Sequence, residues 1–235
     1  MQEMSGDTGS DLKHCVLLGR KSQLQAHTMQ QASECEASSR DNSDGRHRMP
    51  GDVQEVLRLS PPLDFSFMGL MSLEEVGLYE PRASRVGGIP PQAHSGRYLS
   101  PALWLSYNCL HSASGLAQLI SELFQLPHML AWVDLSFNRL ETVPVEDLME
   151  LKGLRTLYLH ANRLHSMQQV CELRNSAGLR SLTLHGNPLQ VEPSYRQQVL
   201  VALPQLTSLD FCLVLSSERP IPVPLDTSTS SDSLS

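Results

Sequence analysis

Aromatic side chains are scarce in this chain of 235 residues, at 5% of the total. All 12 lie at or after Phe65, and residues 1–50 have none. A packed core is therefore not expected to begin before about residue 55, because the earlier stretch has too little apolar surface to offset chain entropy. No apolar run approaches the roughly 18 residues that span a bilayer. Cys15–Leu18 is four apolar residues long, too short for the core of a signal peptide. An excess of basic charge is missing as well. The net charge is −7, and residues 96–215 hold 8 basic against 9 acidic groups. Phosphate backbones need a cationic footprint, so no nucleic-acid partner is expected. Five cysteines (Cys15, Cys35, Cys109, Cys171 and Cys212) form no C-x-x-C, and no N-x-S/T sequon occurs. Reduced thiols and a cytoplasmic location away from membranes are the expectation. Motifs for phosphate loops, dinucleotide folds, zinc proteases and nucleophile elbows are absent.

Leucine is plentiful: 27 of the 40 leucines lie between Leu103 and Leu215. They recur in register. Leu103-Trp104-Leu105-Ser106-Tyr107-Asn108-Cys109-Leu110 aligns with Val133-Asp134-Leu135-Ser136-Phe137-Asn138-Arg139-Leu140. The copies starting at Leu157 and Leu182 repeat the pattern, and a degenerate copy starts at Leu209 with Val214 in place of Asn. The successive offsets are 30, 24, 25 and 27 residues. Leu130, Leu154, Leu179 and Leu206 stand three residues before their copies, and Ser100 stands before the first. The result is L-x-x-L-x-L-x-x-N-x-L, the leucine-rich repeat signature. Alternate leucines face one way on a strand, and stacked parallel strands merge them into one core. Asn108, Asn138, Asn162 and Asn187 fall where the chain leaves the strand. There their amides are expected to pair with backbone groups of neighbouring turns.

The expected fold class is α/β: a short leucine-rich repeat horseshoe. Its parallel β-sheet is concave, its helices and turns are convex, and its termini are disordered. Leu116, Leu119, Ile120, Leu123 and Phe124 have helical spacing, as do Met167, Val170 and Leu173. The organisation expected is a disordered segment over 1–55 and an entry segment over 56–99. About five strands with a C-terminal cap then fill 100–215, and a disordered Ser/Pro-rich tail covers 216–235. Leu63, Phe65 and Phe67 alternate with Asp64 and Ser66 after Pro61-Pro62. This stretch either caps the first repeat or docks a partner as a linear motif.

The chain from Pro61 to Val214 resembles the leucine-rich repeat-containing protein 51 family. The residues that carry the resemblance are Pro61 through Phe67, Ala131 through Asn138, and Leu179 through Tyr195-Arg196. They belong to a matching stretch of roughly two thirds of the chain. Residues 1–48 and the tail after Ser216 do not match. The resemblance implies a small cytoplasmic repeat protein with no catalytic site.

Residues flanking the strand leucines should face outward on the concave side. The first column is Ala102, Trp132, Thr156, Ser181 and Ser208; the second is Trp104, Asp134, Tyr158, Thr183 and Asp210. The third is Ser106, Ser136, His160, His185 and Cys212. Partner binding is expected at Trp104, Trp132, Asp134, Tyr158, His160, His185 and Asp210, an aromatic-polar mixture typical of interface hot spots. The opposing view is that Trp104 and Trp132 pack under Pro61–Phe67. His160 and His185 should be neighbours, and surface contact is favoured over a shared metal. Arg139 and Arg163 form a rim. The expected function is a non-catalytic intracellular adaptor or scaffold, in single copy, with no cofactor and no metal. A cilium- or microtubule-associated adaptor and a regulatory subunit of an enzyme such as a phosphatase remain open alternatives.

Overall fold

The computed structural model describes residues 51–85 and 87–219. Of the stretches expected to be disordered, 1–55 and 216–235, residues 1–50 and 220–235 lie outside the described residues. Seven strands form one sheet in chain order: β1 (Leu63–Asp64), β2 (Ala102–Trp104), β3 (Trp132–Asp134), β4 (Thr156–Tyr158), β5 (Ser181–Thr183), β6 (Ser208–Leu209) and β7 (Cys212–Leu213). The first six are parallel, and β7 turns back antiparallel on β6. Short helices return the chain on the other side: α1 (Gly51–Leu59), α2 (Leu116–Leu123), α3 (Val145–Glu150), α4 (Met167–Glu172) and α5 (Tyr195–Ala202).

The register explains the core. Leu63, Leu103, Val133, Leu157, Leu182 and Leu209 stack rung on rung, and every one is fully buried. Phe65, Leu105, Leu135, Leu159 and Leu184 form a second buried column. Helix residues Leu116, Ile120, Leu148, Val170 and Val199 close this core from behind. No rung has enough apolar area to fold alone; stacking supplies the missing face.

The asparagines tie rungs together. Asn138 Nδ2 donates to Leu105 O of the rung before (2.9 Å) and to Leu135 O (3.1 Å), while its Oδ1 accepts from Leu110 N (3.1 Å). Asn108, Asn162 and Asn187 make the same bonds in their rungs. The residue before each Asn is left-handed: Tyr107, Phe137 and Ala161 have φ of 57°, 53° and 54°, and Gly186 has 71°. At Gly186 a Cβ would lie 3.3 Å from Ala161 N, so this rung uses glycine.

Four features settle or depart from the sequence expectations. Pro61–Phe67 is a full rung: Leu63 and Phe65 are buried and β1 pairs with β2. It caps the solenoid, and those side chains are not free to dock a partner. Ser100, in the leucine position of the first copy, is buried and its hydroxyl donates to Pro61 O (2.7 Å), binding the two rungs. Secondly, α1 begins inside the segment expected to be disordered; Leu57 anchors it. Thirdly, the tail starts ordered. Ser216–Glu218 is a 3₁₀ turn, and Glu218 pairs with Arg196 at 2.6 Å.

The fourth departure is at the C-terminal end. Repeat spacing predicts that Phe211 points inward and Cys212 outward in the third column. Instead Asp210 and Phe211 both adopt positive φ (52° and 65°) and reverse the chain. Cys212 therefore lies opposite Leu209 on exposed β7, outside the concave columns. Two consecutive left-handed residues are what a tight two-residue hairpin requires.

Candidate partner-binding face

The rungs place aromatic side chains next to one another on the concave side. Trp132 follows Ala102 in the first column, while Trp104, Asp134 and Tyr158 are successive partners in the second. Trp104 meets Trp132 edge to face with centroids 5.3 Å apart, and Trp132 meets Tyr158 at 5.4 Å. Tyr158 then contacts Phe211 at 5.3 Å. A second ladder runs along the left-handed column. Phe67 stacks on Tyr107 at 4.3 Å, and Tyr107 stacks on Phe137 at 4.2 Å, with planes within 10°. Phe137 abuts His160 at 5.2 Å, and His160 abuts Phe211 at 5.4 Å. The two ladders thereby merge into one continuous surface of eight rings. At its N-terminal end the Arg82 guanidinium lies 5.4 Å over Phe67, a cation–π contact.

Electrostatics divide the face in two. Asp134 sits between Trp104 and Tyr158. Burial pushes its carboxyl pKa up, against hydrogen bonds from Ser136 and Ser106, and Asp64 adds to the rise. Its Oδ1 accepts from Ser136 N (2.9 Å) and Ser136 Oγ (2.6 Å). No Lys, Arg or His among the described residues forms an ion pair with it. Beside it, burial and then the Asp134 carboxylate push the Tyr158 phenol up to about 12. Both indole N–H groups, of Trp104 and Trp132, are shielded from water and have no hydrogen-bond partner among the described residues. Such orphan donors are uncommon in folded proteins.

Asp210 is fully engaged. Its Oδ1 accepts from Leu184 N (2.6 Å) and His185 N (3.0 Å), and its Oδ2 accepts from Tyr195 OH (2.8 Å). His185 Nδ1 lies 3.2 Å from the same carboxylate. Burial pushes the Asp210 pKa up, but these hydrogen bonds outweigh it and hold the group below its ordinary value. Asp210 thus closes the last rung, whose Asn position is taken by Val214. His160 stacks on His185 at 4.7 Å, and its Nδ1 meets Thr183 Oγ1 at 2.8 Å. Burial, then His185, push the His160 pKa down to about 3, against the opposing pull of Asp210. The imidazole is therefore neutral in the fold. Among the described residues no group of three or more His, Cys, Asp or Glu is arranged to hold a metal ion.

Of the residues expected to bind a partner, Trp104, Trp132, Asp134, Tyr158 and His185 are half-buried on the concave side. His160 is buried and Asp210 serves the fold. The tryptophans pack on each other. Sequence reasoning missed Phe67, Tyr107, Phe137 and Phe211. Three of them precede the Asn position in their rungs, so the alignment carried a signal. A left-handed residue breaks the alternation used to assign sides, and the signal went unread. No described helix is long and apolar enough to cross a membrane.

A family model described as "Leucine rich repeat" matches residues 128–189. Leucine-rich repeat-containing protein 51 of Mus musculus is 42% identical over 177 residues, covering 74% of this chain and 86% of the relative. The Homo sapiens protein of the same name is 40% identical over the same coverage. Two solved structures are similar at lower identity. The Drosophila melanogaster SNF/U2A' complex matches with TM-score 0.47 and 20% identity over 70% of this chain and 86% of its own. The Mex67 LRR domain from Chaetomium thermophilum matches with TM-score 0.43 and 18% identity over 71% and 95%. Leucine-rich repeats are typically non-catalytic modules that bind through their curved faces. Identity above two fifths across most of a relative's length, on a repeat frame that the structure reproduces, means that the chain belongs to the leucine-rich repeat-containing protein 51 family.

Proposed function

We propose that the protein is a non-catalytic cytoplasmic adaptor that holds one protein partner on its concave face. The observation that carries this reading is the continuous ring surface from Phe67 to Trp104, half-exposed along most of its length. Large contiguous apolar patches on soluble proteins mark binding sites. Trp and Tyr concentrate interface energy because they bury much area at little rotamer cost. Trp104, Trp132 and Tyr158 are assigned the largest share of affinity, with Asp134 and His185 beside them. His160 and Asp210 act through the side chains they hold in place. The adaptor works in single copy, without nucleic acid or cofactor.

Proximity labelling in cells supplies the partner and separates a ciliary, phosphatase-linked or general role. Trp132→Ala should then weaken its binding by about 2 kcal/mol or more. Arg139→Ala, at the rim, should leave affinity nearly unchanged. Trp104→Ala provides a second probe if Trp132→Ala melts early. Variants that fold and bind as wild type does would overturn the reading.

A further inference from the structure

Granting that the concave face docks a protein, the geometry points to one arginine side chain of that partner, seated over Asp134 among Trp104, Trp132 and Tyr158. Charge is the first argument. The second column holds Asp64, Asp134 and Asp210, while the three outward columns hold no Lys or Arg. Asp210 is satisfied from within the chain by four hydrogen bonds. Asp134 receives only serine and backbone donors and faces no cation among the described residues.

The rings supply the second argument. Trp104 and Tyr158 occupy the rungs on either side of Asp134 in the same column, with Trp132 two residues before it. A planar guanidinium can lie on an aromatic face while its edge donates to a carboxylate. Ammonium lacks that planar fork. The chain already seats one guanidinium on a ring of this face, with serine oxygens rather than a carboxylate as its acceptors. In the sequence Asp64-Phe65-Ser66-Phe67, Arg82 lies over Phe67 and donates to Ser66 O (2.7 Å) and Oγ. Asp134-Leu135-Ser136-Phe137 repeats that pattern without a cation.

Trp104 and Trp132 are the only tryptophans of the chain, so the intrinsic emission of the full-length protein reports this site directly. The probe is a short blocked Ser/Val peptide with arginine at its centre, compared with the same peptide carrying neutral citrulline. The arginine peptide should change the emission saturably, and citrulline should bind at least about tenfold more weakly. Asp134→Asn keeps the Oδ1 acceptor that Ser136 needs and should fold normally. It should remove the preference for arginine over citrulline. Equal binding of the two peptides to wild type, or no emission change with either, would overturn the proposal. So would a shift in emission, without peptide, on replacing Arg40, Arg46 and Arg48 with Gln, since the chain's own N-terminal stretch would then fill the site. A partner lost with Trp132→Ala but indifferent to Asp134→Asn leaves the docking face standing and removes the arginine.

Discussion

Asp134 and Asp210 sit in one column of one sheet, yet the protein treats them oppositely. Near the middle of the face, Asp134 is surrounded by Trp104, Trp132 and Tyr158, and burial raises its pKa. At the C-terminal end, Asp210 is enclosed by donors from Leu184, His185 and Tyr195, and its pKa falls below the ordinary value. Burial opposes ionisation at both; Asp210 is supplied with more donors, and Asp64 adds its repulsion at Asp134. A carboxylate with every lone pair occupied is a structural part. A carboxylate without a cation, set among exposed rings, is available for recognition. The lesson extends to the rungs around them. The C-terminal end spends its polar groups on closing the solenoid, and the middle leaves two indole N–H groups without a partner among the described residues.

The most direct way to break this comparison is to remove the closing carboxylate. Asp210→Ala would leave two backbone N–H groups and the Tyr195 hydroxyl without their acceptor. Urea unfolding should show a loss of about 3–5 kcal/mol, the range for deleting one partner of a buried charged network. An unchanged midpoint would show that the hairpin, not Asp210, closes the end. Leu159→Ala serves as a yardstick between the two regions. Leu159 is fully buried in the middle of the second core column, and its truncation should cost about 2–5 kcal/mol by the same measurement. A cost below that range would mean that the rungs relax into the space.

How far the sequence disclosed these regions follows from what each residue does. The strand leucines and Asn108, Asn138, Asn162 and Asn187 were legible because every rung demands the same contacts at a fixed spacing. The first rung is less legible, and its sequence alone fits a cap or a docking motif. Met68 stands where the others have Asn, and 40 residues separate Leu63 from Leu103. Its physical reason is its place at the edge: an Asn bridges to the rung before, and β1 has none. Phe211 was assigned to the core because Leu206, Leu209 and Phe211 continue the repeat spacing. Asp-Phe lacks the Gly or Asn that announces a left-handed hairpin. A Phe at φ 65° carries backbone strain. The ring contacts with Tyr158, His160 and His185 hold it there.

Acid should sharpen the comparison next. His160 is neutral in the fold, with its pKa pushed from 6.5 to about 3 by burial and His185. Unfolded, it titrates at its ordinary value. Between those two values the unfolded chain binds the extra proton. Stability should therefore fall as pH drops through this window, by up to about 1.4 kcal/mol per pH unit from this one group. His160→Gln should flatten that slope in urea midpoints measured across the same range. A slope as steep as in wild type would assign the acid sensitivity to Asp210, which also loses its stabilising charge as pH falls.

The smallest effect belongs to Asp134→Asn, and its sign is the informative part. A carboxyl whose folded pKa lies above its unfolded one penalises the native state wherever it is ionised. At neutral pH wild type carries that penalty and the Asn variant does not. The variant keeps an acceptor for Ser136 N and Oγ and opens no cavity. Its stability at neutral pH should thus equal or exceed wild type, by no more than about 1 kcal/mol. As pH falls through the raised pKa, wild-type Asp134 takes up a proton and loses its penalty, so the gap should close. Urea titrations of both proteins at neutral and mildly acidic pH measure this. If the variant is instead less stable at neutral pH, a group within the chain already neutralises Asp134. The middle of the face would then be as self-contained as its C-terminal end.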